Sequence, residues 1–265
     1  MLLGMPTLIE LDSLEENIHV CHELNLHFIE LNMDLPYCNF KQMDIHKIKD
    51  LLDKYNLFLT MHFPEQANLG NYNEIIRESN LTLFQSYLPY MKQLKIKKIN
   101  LHFNEGIYFT LPTKKEYIYQ KNIENYRINW IDSLSKFVNH GLTICIENTQ
   151  TPDFKVKEIE HLLSALPRLM LTWDIGHDNR FENKVEGVYV KNQQRIKHFH
   201  LHDVIGQQDH LEIGKGEIHF SKYLPYVQEE STVVIEVKTK EGLTNSVIAF
   251  RGFLQANKSS RLLDK

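Results

Sequence analysis

LTICIEN, residues 142–148, is a strand-length apolar run that closes on a carboxylate and an amide. Side chains of a β-strand alternate between its two faces, so Ile144 and Ile146 share one face while Cys145 and Glu147 share the other. A strand apolar on both faces is buried on both, as in a parallel sheet covered by helices. Seven further stretches have the same form: LLGMPTLIEL (2–11), FIELNMD (28–34), FLTMHF (58–63), KINLHF (98–103), LMLTWDI (169–175), KHFHLHD (197–203) and VVIEVK (233–238).

Amphipathic segments separate these strands. The first opens at Ser13 with Glu16 three residues on, a capping-box spacing. The others are predicted over 44–56, 73–94, 117–139, 155–166, 183–194, 220–229 and 243–257. Strict alternation of strand and helix argues for parallel strands, because parallel neighbours need a crossover and a helix supplies it. Eight such units over about 250 residues is the usual size of a closed barrel. An open doubly wound sheet alternates in the same way, but no GxGxxG follows the first strand and polar residues close at least six strands. A barrel brings every strand end to one face. The expected fold is therefore α/β, a (β/α)₈ TIM barrel of eight parallel strands with outer helices, covering 1–265 as a single domain with a polar tail from about 255.

Composition narrows the function. A net charge of -4 gives no basic footprint for a phosphate backbone, so nucleic acid is not the expected partner. Three scattered cysteines, Cys21, Cys38 and Cys145, make neither a disulfide framework nor a thiolate cage, which fits a reducing, cytoplasmic setting. The start of the chain lacks a positive leader and reads as a first strand, and no apolar run is long enough to span a bilayer. Of the 14 histidines, six fall near strand ends or in the loops that follow: His62, His102, His177, His200, His202 and His210.

Counting in twos gives the faces. Glu147 points inward at the carboxyl end of its strand. In VVIEVK, Val233, Ile235 and Val237 face the helices and leave Val234 and Glu236 inside. The same count places His62, His102, Asp174 and His200 at the ends of their strands, where barrel enzymes build their sites. Several carboxylates sharing one cavity repel and protonate unless a cation balances them. Mixed imidazole and carboxylate donors without thiolate suit a divalent metal, manganese or zinc first and magnesium, cobalt or iron after them.

Other polar residues read more weakly. His198 lies one pleat deeper and is expected to be an interior histidine, and His202 is either an outer support of the site or a loop start paired with Asp203. Glu30 closes the second strand, either touching substrate or bonded to polar groups of the barrel. The loop IGKGEI (213–218) offers Gly214, Lys215 and Gly216 as a phosphate cradle, and NEGIYFTLPTKKE (104–116) reads as a solvated loop rather than a lid.

The order of motifs resembles the xylose-isomerase-like TIM-barrel superfamily, which contains sugar and sugar-phosphate isomerases and epimerases and also endonuclease IV. The segments that carry the resemblance are FIELNMD, MHFPEQANLG, LHFNEG, CIENT, TWDIGHDN, HFHLHDVIGQQDHLEIGKGEI and VVIEVK. The resemblance implies one metal held by Glu147, Asp174, His200 and Glu236, with His177 on the substrate. It also implies that Glu147 and Glu236 flank the reacting carbon, one removing a proton next to a carbonyl and the other returning it to a metal-stabilised enediolate. In the endonuclease IV branch, residues matching His62, His102, His177 and His210 are additional metal ligands. A further aspartate of that branch falls at Gln208, with Asp209 next door, and that departure puts a third metal in doubt.

The expected function is thus a divalent-metal-dependent isomerase or epimerase of a small sugar, sugar phosphate or related polyol keto compound, with Glu147 and Glu236 as the catalytic pair. Substrate contacts are expected from His177, His62, His102 and Lys215. Two alternatives stand beside it: a multi-zinc phosphodiesterase like endonuclease IV, and a sugar-binding barrel without turnover. The expected partners are a small carbohydrate and a second copy of the chain in a homodimer, with no membrane.

Overall fold

Twelve strands form in the computed structural model, which describes residues 1–149 and 152–263. In chain order they are β1 (Leu2–Pro6), β2 (Phe28–Asn32), β3 (Phe58–His62), β4 (Lys98–His102), β5 (Tyr108–Thr110), β6 (Lys115–Tyr117), β7 (Thr143–Glu147), β8 (Met170–Asp174), β9 (Ile196–Leu201), β10 (Asp203–Ile205), β11 (Gln208–Leu211) and β12 (Thr232–Ile235). Eight of them close a parallel barrel in the order β1-β12-β9-β8-β7-β4-β3-β2, and β5-β6 and β10-β11 are two-stranded hairpins in the loops. The expected (β/α)₈ barrel is the observed one. Among the described residues no helix is long and apolar enough to cross a membrane.

The helices are α1 (Leu14–Glu23), α2 (Ile45–Tyr55), α3 (Glu74–Gln93), α4 (Ile118–Lys121), α5 (Ile123–Phe137), α6 (Asp153–Ala165), α7 (Ile175–Arg180), α8 (Glu186–Lys191) and α9 (Lys240–Leu263). The Ser13 and Glu16 spacing does form a capping box. The Ser13 hydroxyl accepts from the Glu16 amide at 3.2 Å, and the Glu16 carboxylate reaches back to the Asp12 amide at 2.9 Å.

Three predictions of local structure differ. The span 220–229 holds two 3-10 turns, Phe220–Lys222 and Leu224–Tyr226, and Pro225, which has no N–H to give back to the first turn, sits at the start of the second. The loop 104–116 carries the β5-β6 hairpin, whose lysines are engaged: Lys114 pairs with Glu116 at 2.6 Å and Lys115 lies over the Tyr108 ring. The last helix continues to Leu263, past the polar boundary at about 255, while Asp264 and Lys265 lie outside the described residues.

Outward-facing Ile144, Ile146, Phe199, Val233 and Ile235 are fully buried between barrel and helices. The inside of the barrel is polar instead. Thr172 donates to Asn100 at 2.6 Å, Asn100 donates to Glu147, and Glu30, Thr60, His198 and Thr232 form a second group nearer the amino end. Register sets the layers: His102 is level with Glu147, and Asp174 with His200.

One residue past β7, Asn148 clamps the end of β8. Its side chain accepts from the Asp174 amide at 2.8 Å and donates to the Asp174 carbonyl at 2.8 Å, fully buried. In Asn148→Ala both backbone groups lose their partners, and the expected cost is about 2–4 kcal/mol in chemical denaturation. A variant as stable as the parent would show that the clamp carries no load.

Candidate active site

Six strands and the turns after them deliver one cluster of side chains. His62 ends β3, His102 ends β4, Glu147 ends β7 and Asp174 ends β8, while His200 lies in β9 and Glu236 follows β12. Asp174 also starts α7, where its Oδ1 caps the His177 amide at 2.7 Å. That cap explains the Asp-x-x-His spacing: the carboxylate that closes the strand opens the helix and fixes His177 one turn on. His210 arrives from the β10-β11 hairpin with φ 55°, a left-handed conformation rare for a residue with a Cβ. Its ring stacks on His202 with centroids 4.3 Å apart.

Glu147, Asp174, His200 and Glu236 each bring a donor atom within 4.8 Å of the other three. His200 Nδ1 lies 3.3 Å from Glu147 Oε1, 3.1 Å from Glu236 Oε2 and 3.8 Å from Asp174 Oδ2. His62, His102 and Glu147 form a second such group, and His177, His202 and His210 a third. Among the buried atoms without a hydrogen-bond partner are Asp174 Oδ2, His177 Nδ1, His200 Nδ1 and Glu236 Oε2. Buried polar atoms are normally bonded, so imidazole nitrogens and carboxylate oxygens left open toward one another are a donor set that fits a divalent cation.

Hydrogen bonds to backbone decide which ring nitrogen each histidine offers. His62 Nδ1 sits 2.9 Å from the Phe63 carbonyl, which can only accept. Its Nε2 is therefore open toward Glu147 Oε2 at 3.4 Å, and His102 Nε2 approaches the same oxygen at 3.7 Å. His202 is set the opposite way. Its Nδ1 takes the His210 backbone N–H at 2.9 Å, so its ring proton belongs on Nε2, which faces Asp174 Oδ1 at 3.2 Å. His202 thereby supports Asp174 rather than offering a lone pair to a cation, and the outer group lacks a ready third ligand. Gln208, exposed on β11, does not supply one.

The electrostatics are those of mutually compensating buried charges. Burial pushes Glu147 up, but the charge of His200 beside it, with bonds from His200 and His62, holds it well below the usual carboxylate range. Glu236 is likewise low: Lys238 at 2.9 Å and His200 outweigh its burial. Burial opposes charge on His62, yet Glu147 raises it to about 9, whereas burial wins at His102 and lowers it to about 3. Burial alone is the main reason that the Cys145 thiol, one pleat below Glu147, is pushed up to about 11, so no thiolate joins the site at neutral pH.

Beside the cluster opens a cavity of about 340 Å³, lined in part by Thr7, Asn32, His62, Glu65, Glu236 and Lys238. Lys215 is not brought to it. The residue is exposed, and its loop closes on a carboxylate of the chain itself: Asp203 accepts from Gly214 at 2.9 Å and Ile218 at 3.0 Å. Gly216 is required because a Cβ there would overlap the Asp203 carboxylate, so the GxG is a packing feature and not a phosphate cradle. Counting strand ends alone misses Asn148, Asn100 and the orientation of His202, whose partners are backbone groups or residues on neighbouring strands. Gly176 beside His177 is the one signal for His202, since a Cβ there would strike its ring.

A family model for xylose isomerase-like TIM barrels matches residues 18–252. The uncharacterized protein MJ1614 of Methanocaldococcus jannaschii is 30% identical over 91% of this chain and 93% of its own. A solved D-tagatose 3-epimerase-like protein superposes with a TM-score of 0.81 at 22% identity, covering 98% of this chain and 99% of that one. The 3-keto-D-glucoside 4-epimerase YcjR of E. coli superposes with a TM-score of 0.76 at 14% identity, covering 96% and 99%.

Gly176→Ala is expected to lower stability by about 1–3 kcal/mol through overpacking against His202. Adding His202→Ala removes the overlap, so thermal denaturation of the double variant should show strongly non-additive losses. Simple additivity would mean that the two residues do not press on each other.

Proposed function

The chain belongs to the xylose isomerase-like TIM-barrel family, and from that premise we propose that it is a divalent-metal-dependent isomerase or epimerase of a small sugar, sugar phosphate or related polyol keto compound. The observation that carries the reading is the pair of inward carboxylates, Glu147 and Glu236, which meet His200 Nδ1 at 3.3 and 3.1 Å beside a cavity sized for a small molecule. A barrel that only binds has no need of two buried carboxylates held ionised at one point.

Glu147, Asp174, His200 and Glu236 would hold the cation. When bound, a divalent cation polarises a carbonyl and lowers the cost of negative charge on its oxygen. One of Glu147 and Glu236, ionised, takes the proton from the carbon next to that carbonyl, and the other, which must first have taken a proton from solvent or from a substrate hydroxyl, gives it to carbon. Return to the opposite face of the same carbon inverts it, and return to the neighbouring carbon, with the hydroxyl proton passing from one oxygen to the other, converts aldose to ketose. Asn32, Glu65 and Lys238 on the cavity wall suit hydroxyl groups, His62 lines the same wall, and His177 and His102, partly exposed beside Glu147, are the further substrate contacts of this reading. Similarity to solved epimerases supports a carbohydrate substrate. Three buried thiols without disulfides fit a reducing, cytoplasmic setting.

A second reading, multi-zinc phosphodiester hydrolysis, is favoured by the His62, His102 and Glu147 group, which a single cation does not use in full. The outer group weighs against a third cation, because His202 Nδ1 is taken by the His210 amide. Metal stoichiometry after purification separates the readings: one exchangeable manganese supports isomerisation, and two or three tightly held zinc ions per chain support hydrolysis.

Glu147→Gln and Glu236→Gln are each expected to lower turnover of ketoses by about 10²–10⁴-fold while substrate binding stays within about tenfold. Chelation should remove the activity and manganese or zinc restore it, with solvent deuterium entering the product at carbon. Full turnover in both variants would end the two-carboxylate mechanism.

A further inference from the structure

We infer that Glu30 is a positioning residue that turns His200 so that its Nδ1 faces the cation site, an inference that rests on the metal-dependent reading above. Glu30 lies on β2, level with Thr60 and one pleat below Asn32 at the mouth, and is only 3% exposed. Its two oxygens make three bonds: Oε1 with His200 Nε2 at 2.8 Å, Oε2 with His198 Nε2 at 2.8 Å, and Oε2 with the Thr60 hydroxyl at 3.2 Å.

An ionised carboxylate only accepts, so both imidazoles must present N–H to it. For His200 this leaves Nδ1 as the nitrogen turned toward Glu147, Asp174 and Glu236, the place of a proton in the bare protein and of a cation in the loaded one. A ring flipped about its Cβ–Cγ axis would turn carbons, Cε1 and Cδ2, toward Glu30 and the cation site, losing the Glu30 bond and leaving the donor set one nitrogen short. The chain extends away from the site. His198 Nδ1 is 2.6 Å from the Thr232 hydroxyl, which accepts from the Lys98 ammonium at 2.5 Å. Lys98 thus supplies a positive counter-charge at the amino end of the barrel, and His198 fixes the second oxygen of Glu30.

The same facts separate Glu30, His198 and His200 from the cation groups, although their donor atoms also lie within 4.8 Å of one another. Both histidines turn Nε2 to the carboxylate, and both Glu30 oxygens are occupied. These three therefore form a hydrogen-bonded support under the site. Outer carboxylate partners of ligating histidines fix ring orientation and raise ligand basicity, and their loss typically weakens metal binding by about 10–100-fold.

The test uses metal-free wild type, Glu30→Gln and Glu30→Asp, titrated with manganese and zinc and followed by ¹⁵N spectra of the imidazoles. Glu30→Gln keeps shape but has a single acceptor for two N–H groups, and it should bind metal about 10–100-fold more weakly. Glu30→Asp keeps two acceptor oxygens one methylene short, and should recover part of that loss. A hydrogen-bonded His200 Nε2–H resonance should be present in wild type, with or without metal, and lost or shifted in Glu30→Gln. Equal affinity and an unchanged resonance in both variants would overturn the inference. If wild type itself binds no divalent ion, the metal reading fails, and the imidazole resonance in metal-free protein still decides whether Glu30 holds His200.

Discussion

Buried negative charge at the mouth of the barrel is the constraint on which the rest depends. Glu30, Glu147 and Asp174 are almost wholly removed from water, and Glu236 is nearly so. Isolated in a low-dielectric interior, each would be expensive to keep ionised, and several together would drive one another neutral. The fold meets this by surrounding them with imidazoles. His62, His198, His200 and His202 are buried, while His102, His177 and His210 close the rim. Barrel closure is what makes such an arrangement reachable, since only there do six strands end around one point.

Two layers divide the work. In the upper one, Glu147, Asp174, His200 and Glu236 leave oxygens and nitrogens open toward each other. In the lower one, Glu30, Thr60, His198, Thr232 and Lys98 satisfy one another. A fully bonded polar layer rigidifies what it touches. Asn148 contributes the same rigidity from the side by holding both backbone groups of Asp174. The open upper layer is thus held open by a closed lower one.

Period-two counting was enough to place Glu147, Asp174, His200, Glu236, His62 and His102 at strand ends, because the faces of a strand follow from its own sequence. Which residues support them depends on register between strands distant in the chain, such as Glu30 on β2 with His198 and His200 on β9. No local pattern encodes that. At 220–229 the apolar spacing suits a helix, and the chain forms two 3-10 turns with Pro225 at the start of the second, whereas the longer α3 accommodates Pro89. Lys215 was drawn into the site by a glycine pattern whose actual cause is the Asp203 carboxylate beneath Gly216.

Histidine count alone says little about how many cations such a site accepts, since a ring offers a lone pair only where its other nitrogen does not need one. At His62 the Phe63 carbonyl claims the proton on Nδ1 and frees Nε2 toward Glu147. At His202 the His210 amide claims the lone pair on Nδ1, and the remaining proton points at Asp174. Two residues of one type, both buried and both facing a carboxylate, are thereby given opposite roles by one backbone contact each. The left-handed turn at His210 that delivers that amide, and the bare Gly176 that leaves room for the ring, belong to the same device. With Gln208 in place of an acid, the outer group leans toward orienting Asp174 and toward substrate. The backbone around the histidines, more than their number, thus sets which nitrogens are open.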